Sequence, residues 1–233
     1  MADFPTPTIL YDGYIFDLDG TIYLSEQLLP GAKHVIETLR NAGRHIVFVS
    51  NNPTHTRQQT AKKLTRLGIA TSDQEVVNSS YVLVHYLHNR APGAVVFPIS
   101  EPPLKEELAA AGFILSEKPE AIEYVIASFD RTFTYHKLQV AFDAIRAGAR
   151  FIATNADRYC PVAGGGEPDA AAIIAAIEAC TNTSLEEMVG KPSTIMVQTA
   201  LTMLSIAPQN CLLTGDRLET DILMGKSAGM ASA

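Results

Sequence analysis

Long apolar runs, a surplus of positive charge and a paired set of cysteines are all missing from this 233-residue chain. No hydrophobic stretch reaches the roughly 20 residues that a membrane-spanning helix needs. Lys and Arg number 18 against 25 Asp and Glu, and the resulting charge of −7 argues against nonspecific binding to nucleic acid or to an anionic membrane. An anionic substrate therefore needs local capture, by a cation, a helix N-terminus or a few basic side chains. Cys160, Cys180 and Cys211 form an odd set without metal-ligand spacing, which reads as reduced thiols in a cytoplasmic protein. Met1–Leu10 lacks the basic-then-apolar order of an export signal.

A chain of this length with 47% hydrophobic residues allows one large α/β domain or two smaller ones. One stretch stands out, Tyr14-Ile15-Phe16-Asp17-Leu18-Asp19-Gly20-Thr21. Its apolar start predicts a strand buried on both faces, which stops at two carboxylates one residue apart and a glycine. Residues i and i+2 of an extended chain share a side, so Asp17 and Asp19 converge, and Gly20 permits a sharp turn. Adjacent carboxylates repel, so a divalent cation, a shared proton or both must compensate them. Such a pair suits chemistry with one carboxylate as nucleophile and the other as proton donor. The bland alternatives are a surface turn or a calcium loop. The latter needs further oxygen ligands at alternating positions and a closing glutamate, which Thr21, Ile22, Tyr23 and Leu24 do not supply.

Helices and strands then alternate. The spacing predicts a helix over Ala32–Asn41, a strand over His45–Val49 running into Ser50-Asn51-Asn52, a helix over Thr56–Leu67 and a short strand at Glu75–Asn78. That order implies a parallel sheet with right-handed crossovers and ligands at the carboxyl ends of its strands, where Asp17, Asp19 and Ser50 fall. Residues 79–183 repeat the pattern, with strands at Ala94–Ile99, Tyr124–Ser128 and Phe151–Thr154, and read as a second domain with its own core. Its boundaries fall near Asn78 and in the polar cluster Thr181–Ser184. Asn155 and Asp157 follow the last of these strands, a position suited to touching substrate. Gly164–Gly166 lacks the lysine and hydroxyl of a P-loop and is expected to be a mobile loop between domains, with Asp169 as a helix-terminal charge.

Residues 184–233 return to the first pattern. Lys191 sits in the turn Gly190-Lys191-Pro192 before a helix over Thr194–Ser205, and the strand Cys211–Thr214 ends in Gly215-Asp216 with Asp221 beyond. Taken singly, Lys191 is a surface charge and Asp221 a helix N-terminal acid. Taken with Asp17, Asp19 and Ser50, they make the inventory for binding Mg²⁺ and a phosphate at one site.

Four segments in order, Asp17-x-Asp19-Gly20-Thr21, Ser50-Asn51-Asn52, Gly190-Lys191-Pro192 and Gly215-Asp216 with Asp221, resemble those of the haloacid dehalogenase-like phosphohydrolases. The likeness is greatest to the NagD-type and p-nitrophenyl-phosphatase-like subfamily. It implies an α/β fold, with a Rossmann-like parallel-sheet core formed by residues 1–78 and 184–233 and an inserted α/β cap of the C2 type at 79–183. It also implies a core lacking its last strand, because the sequence stops at Ala233 where relatives enter one more. The implied activity is Mg²⁺-dependent hydrolysis of a small phosphate monoester (a sugar phosphate, a nucleotide or a p-nitrophenyl phosphate-like ester). Asp17 would form an aspartyl-phosphate, Asp19 would act as acid and then base, and Ser50 and Lys191 would complete the catalytic set. Asn51, Asn52, Asn155 and Asp157 would bind substrate, and Asp17, Asp19 through its carbonyl, Asp216 and Asp221 would hold Mg²⁺. A homodimer through the cap is one arrangement the resemblance allows. A phosphomutase and a silent phosphate-ester-binding protein are the alternatives on the same scaffold. Glu167 and Asp169 are expected to disfavour a strongly anionic leaving group.

Overall fold

Gly13–Asp17 (β1) is buried along its whole length, as the run Tyr14-Ile15-Phe16 requires of a strand covered on both faces. The structure, a computed structural model, describes residues 9–162 and 164–233; residues 1–8 of the segment read for an export signal lie outside the described residues. A small flap follows β1, pairing Tyr23–Leu24 (β2) with Gln27–Leu28 (β3). Ala32–Asn41 (α1), His45–Ser50 (β4), Arg57–Arg66 (α2) and Val76–Asn78 (β5) complete the first run. Helix α2 starts at a reciprocal cap, in which Thr56 accepts the Gln59 N–H and the Gln59 side chain accepts the Thr56 N–H. Its Leu64 is fully buried, a placement that contributes about 1.5–3 kcal/mol.

Ser79–Arg90 (α3) follows at once, capped by Asn78. Val95–Ile99 (β6), Pro102–Ala110 (α4), Ile114–Leu115 (β7), Tyr124–Ala127 (β8), Tyr135–Arg146 (α5) and Arg150–Ala153 (β9) continue the alternation. Tyr159–Val162 (β10) and Gly165–Pro168 (β11) pair antiparallel, and Ala170–Thr181 (α6) and Glu187–Met188 (β12) come next. The chain closes with Thr194–Leu204 (α7), Cys211–Thr214 (β13), a π-helical turn over Leu218–Ile222, Leu223–Ser227 (α8) and Ala231–Ser232 (β14).

Two five-stranded parallel sheets result, ordered β14-β13-β1-β4-β5 and β12-β9-β8-β6-β7. In the first, later strands lie on both sides of β1, so the carboxyl end of β1 opens at the point where the strand order reverses. Helix α3 joins the two sheets. Its Val82, Leu83, Tyr86 and Leu87 share one buried cluster with Ile15, Val47 and Val77 of the first sheet and Val96, Ile126 and Ile152 of the second. No helix among the described residues is long and apolar enough to cross a membrane.

Three expectations need correction. The Gly164–Gly166 stretch is not a mobile loop, because Gly165 and Gly166 belong to β11. Gly166 makes room there for the Tyr159 ring, which a Cβ would meet at 2.8 Å. The boundary at residue 183 falls too early for the second sheet, since β12 pairs with β9 within it. Finally, the first sheet does carry a strand outside β13: Leu212 and Leu213 pair with Ala231 and Ser232 of β14.

Candidate active site

Strand β1 delivers Asp17 to the carboxyl edge of the first sheet, where the residue is only 4% exposed. The chain then turns at Gly20, whose φ of +94° lies in the left-handed region that a side chain resists. A Cβ there would also stand 2.5 Å from Asp216 Oδ2, so this glycine lets the loop after β13 approach. Strand β4 places Ser50, also buried, with its Oγ accepting the Asn52 N–H at 3.1 Å. Lys191, in the turn before α7, is buried and donates to Asp17 Oδ1 at 2.5 Å and Asp221 Oδ1 at 2.8 Å. Asp221 lies in the π-helical turn, a wide turn of the kind that recurs at functional sites.

Burial pushes the Asp17 carboxyl above its ordinary value; Lys191 opposes the shift and Asp221 adds to it. Burial alone would lower the Lys191 ammonium, but Asp17 and Asp221 outweigh it and hold the lysine charged. Asp19 is open at its surface, yet protein surrounds its carboxyl closely enough that desolvation raises it against the pull of Lys63 and Lys191. That is the direction a proton donor needs. One oxygen each from Asp17, Asp216 and Asp221 lies within 4.8 Å of the others, whereas the Asp19 carboxylate stands outside the group. Three carboxylates against one lysine leave negative charge uncompensated. Their hard oxygen donors fit a hard divalent cation.

Asp17, Asp19, Ser50, Asn51, Asn52, Asp157 and Lys191 all border one cavity of about 70 Å³. Asn155 does not reach it, which corrects its expected substrate contact. The residue has no exposed surface, and its Nδ2 donates to Asp157 at 3.0 Å and Asp169 at 3.1 Å while its Oδ1 accepts from Thr154. Asp169 caps α6, as expected of a helix-terminal charge, and also borders the cavity. Asn51 uses its side chain on Lys191 and Asp157. The sequence reading missed Arg217, Thr220, Phe129 and Tyr159-Cys160-Pro161, which line the same cavity. Arg217 carried a usable signal, being a basic residue directly after Asp216 at a strand end. Phe129 and Tyr159-Cys160-Pro161 carry none, because the spacing assigns no element to residues 159–162. Burial, with nearby acids, pushes the Cys160 thiol up to about 11, which disfavours its thiolate form.

A parallel α/β sheet with acids, a hydroxyl and a lysine gathered at its carboxyl edge is suited to hydrolysis, and comparison with known proteins identifies the class. Residues 14–114 match a family model described as haloacid dehalogenase-like hydrolase, and residues 188–233 match a second, HAD-hydrolase-like one. The chain is 39% identical over 233 residues to the sugar-phosphatase AraL of Bacillus subtilis (strain 168), covering 100% of this chain and 85% of that protein. It is 34% identical over 220 residues to the acid sugar phosphatase of Staphylococcus aureus (strain MRSA252), covering 94% and 84%. The solved p-nitrophenyl phosphatase from Archaeoglobus fulgidus matches with a TM-score of 0.92 at 30% identity, over 96% of this chain and 85% of that one. The chain belongs to the haloacid dehalogenase-like hydrolase family. Within it, the protein is a phosphatase of the NagD-like type.

Proposed function

We propose that the protein is a Mg²⁺-dependent phosphatase that hydrolyses phosphate monoesters of small polyols, sugar phosphates above all. The observation that carries this reading is Lys191 bound between Asp17 and Asp221 at the edge of the cavity, with Asp216 beside them. Asp17 attacks phosphorus and becomes an aspartyl-phosphate. Asp19 gives its proton to the departing oxygen, then takes one from the water that hydrolyses the intermediate. The Ser50 hydroxyl and the Asn51 N–H hold phosphoryl oxygens, and the Lys191 charge offsets those of Asp17 and the phosphoryl group. Asp17, Asp216, Asp221 and the Asp19 carbonyl would hold Mg²⁺, whose charge favours the ionised nucleophile and stabilises the transferring group.

The far wall of the cavity supports a neutral, hydroxyl-rich leaving group. It presents Asp157 and Asp169, and its Arg217 already donates to Asp157 at 3.3 Å. Hydroxyls can donate to these carboxylates, whereas a second phosphate would face them. Relatives named as sugar phosphatases support the same class. The free state of all three cysteines supports a reducing, cytoplasmic setting.

Phosphate release from a panel of sugar phosphates, sugar bisphosphates and p-nitrophenyl phosphate, with Mg²⁺ and with EDTA, tests the reading. Sugar phosphates and p-nitrophenyl phosphate should turn over only with the metal. Bisphosphates should be at least roughly tenfold slower, the effect of about 1.4 kcal/mol of repulsion. Ester binding without release would make the protein a binder, and phosphoryl transfer between sugars a mutase.

A further inference from the structure

Asn51 makes an arrangement that phosphate binding does not explain. Its Oδ1 accepts the Lys191 N–H at 2.7 Å, and its Nδ2 donates to the Lys191 carbonyl at 3.1 Å. A carboxamide carries its acceptor and its donor on neighbouring atoms, which lets it serve the N–H and the C=O of one residue together. The second Nδ2 proton goes to Asp157 Oδ2 at 2.8 Å, in the loop after β9 of the cap sheet. Asp157 in turn accepts from Asn155 at 3.0 Å and from Arg217 at 3.3 Å, in the loop after β13. One carboxylate thus gathers loops that follow β4, β9 and β13. Gly190 completes the fit: a Cβ there would overlap the Thr154 carbonyl and stand 2.7 Å from Asn51 Oδ1, so the end of the cap strand presses directly on the mount of Lys191.

We propose that Asn51 is a positioning residue that couples seating of the cap to placement of the catalytic lysine. Asp157 holds the Asn51 amide in the orientation that clamps the Lys191 peptide. That peptide aims the ammonium at Asp17. Withdrawing Asp157 frees the amide to rotate and loosens the lysine mount, so hydrolysis is fast only when the cap is seated. On this account the Asn51 side chain acts through Lys191, and so does Asp157, apart from any hydrogen bond it accepts from an ester hydroxyl.

The inference rests on the phosphatase reading for its kinetic arm but not for its structural one. Asn51→Asp keeps the shape and loses both donors; Asp157→Asn keeps the shape and loses the charge. With p-nitrophenyl phosphate and Mg²⁺, each should lower kcat roughly 10- to 100-fold, the cost of misplacing a catalytic group by about 1 Å. KM of Asp157→Asn should change by less than about threefold, because p-nitrophenyl phosphate offers that carboxylate no hydroxyl to bind. The double variant should fall no further than about threefold below the worse single one, since both changes break one linkage. Independently of turnover, NMR-detected amide exchange at Lys191 should quicken in Asp157→Asn while the melting temperature holds. Losses that multiply, a raised KM with intact kcat, or unchanged exchange at Lys191 would each overturn the proposal. Should Asn51→Asp fail to fold, the kinetics and exchange of Asp157→Asn decide it. A wild-type protein without turnover would sink the phosphatase reading alone, leaving the exchange measurement to judge the clamp.

Discussion

Gly215 lies so close to Asp221 that a Cβ on the glycine would overlap Asp221 Cγ and stand 2.6 Å from its Oδ2. Asp221 has no exposed surface into which it could retreat, and its Oδ1 is one of the two carboxylate oxygens that bind Lys191. Gly215→Ala must therefore push Asp221 off the lysine. A displacement of about 1 Å in such a cluster costs on the order of 100-fold in kcat. Steady-state turnover of p-nitrophenyl phosphate measures it. An alanine variant that kept wild-type kcat would show that the Asp221–Lys191 contact is dispensable.

Lys191 is the buried cation between Asp17 and Asp221. Lys191→Met keeps most of the volume and leaves the carboxylates facing one another. Breaking a buried charge cluster from one side costs about 3–5 kcal/mol. A divalent cation replaces part of the lost charge, and anything that binds only the folded state raises its stability. The variant should melt well below wild type in EDTA and recover part of the difference in Mg²⁺. Identical melting in both conditions would count against a metal site at Asp17, Asp216 and Asp221.

The parts of this architecture that could be read in advance share one property: they are local. Strands β1 and β4 are unbroken apolar runs ending in small polar residues, and α2 shows its start through Thr56 and Gln59. Asp17, Ser50 and Lys191 were legible because each follows a recognisable strand or turn. The β10–β11 hairpin was not, since glycine and Pro161 are poor strand formers and its shape depends on Tyr159 lying over Gly166. Asn155 was misread for a similar reason. A polar residue at a strand end looks like a ligand until the fold brings Thr154, Asp157 and Asp169 around it. Strand β14 is two residues long and acquires its identity only from β13.

Asp130 gives the second sheet an acid-sensitive tie. Its side chain is fully enclosed, its Oδ2 accepts the Lys137 ammonium at 2.6 Å, and its Oδ1 accepts the Thr132 N–H and hydroxyl at 2.9 and 2.6 Å. Burial alone would push this carboxyl up, but Lys137 and Thr132 outweigh it and hold it below its ordinary value. A depressed carboxyl stabilises the fold above its unfolded value of about 3.9 and loses that contribution as the pH falls through the folded value. Asp130→Asn should therefore cost about 1.5–3 kcal/mol near pH 7, the range for hydrogen bonds to a charged group. The gap to wild type should close as the pH drops below about 4. Urea unfolding at both pH values tests this, and a gap that stayed constant would remove Asp130 from the acid response.

Asp19 borders the cavity with Asp17, and desolvation favours its protonated form. If that proton goes to the leaving oxygen, the need for it depends on the ester. A sugar alkoxide leaves poorly without protonation, whereas p-nitrophenolate spreads its charge over the ring and leaves unaided. Asp19→Asn should lower kcat for a sugar phosphate by roughly 10²- to 10⁴-fold, the usual contribution of a positioned acid. With p-nitrophenyl phosphate, the first step should survive and the second should fail, because the same residue no longer activates water. Rapid mixing should then show a burst of p-nitrophenol equal to the enzyme present, followed by slow turnover, with phosphate accumulating on Asp17. Intact-mass measurement reads that adduct directly. Equal losses with both esters and no burst would assign the proton transfers to a group other than Asp19.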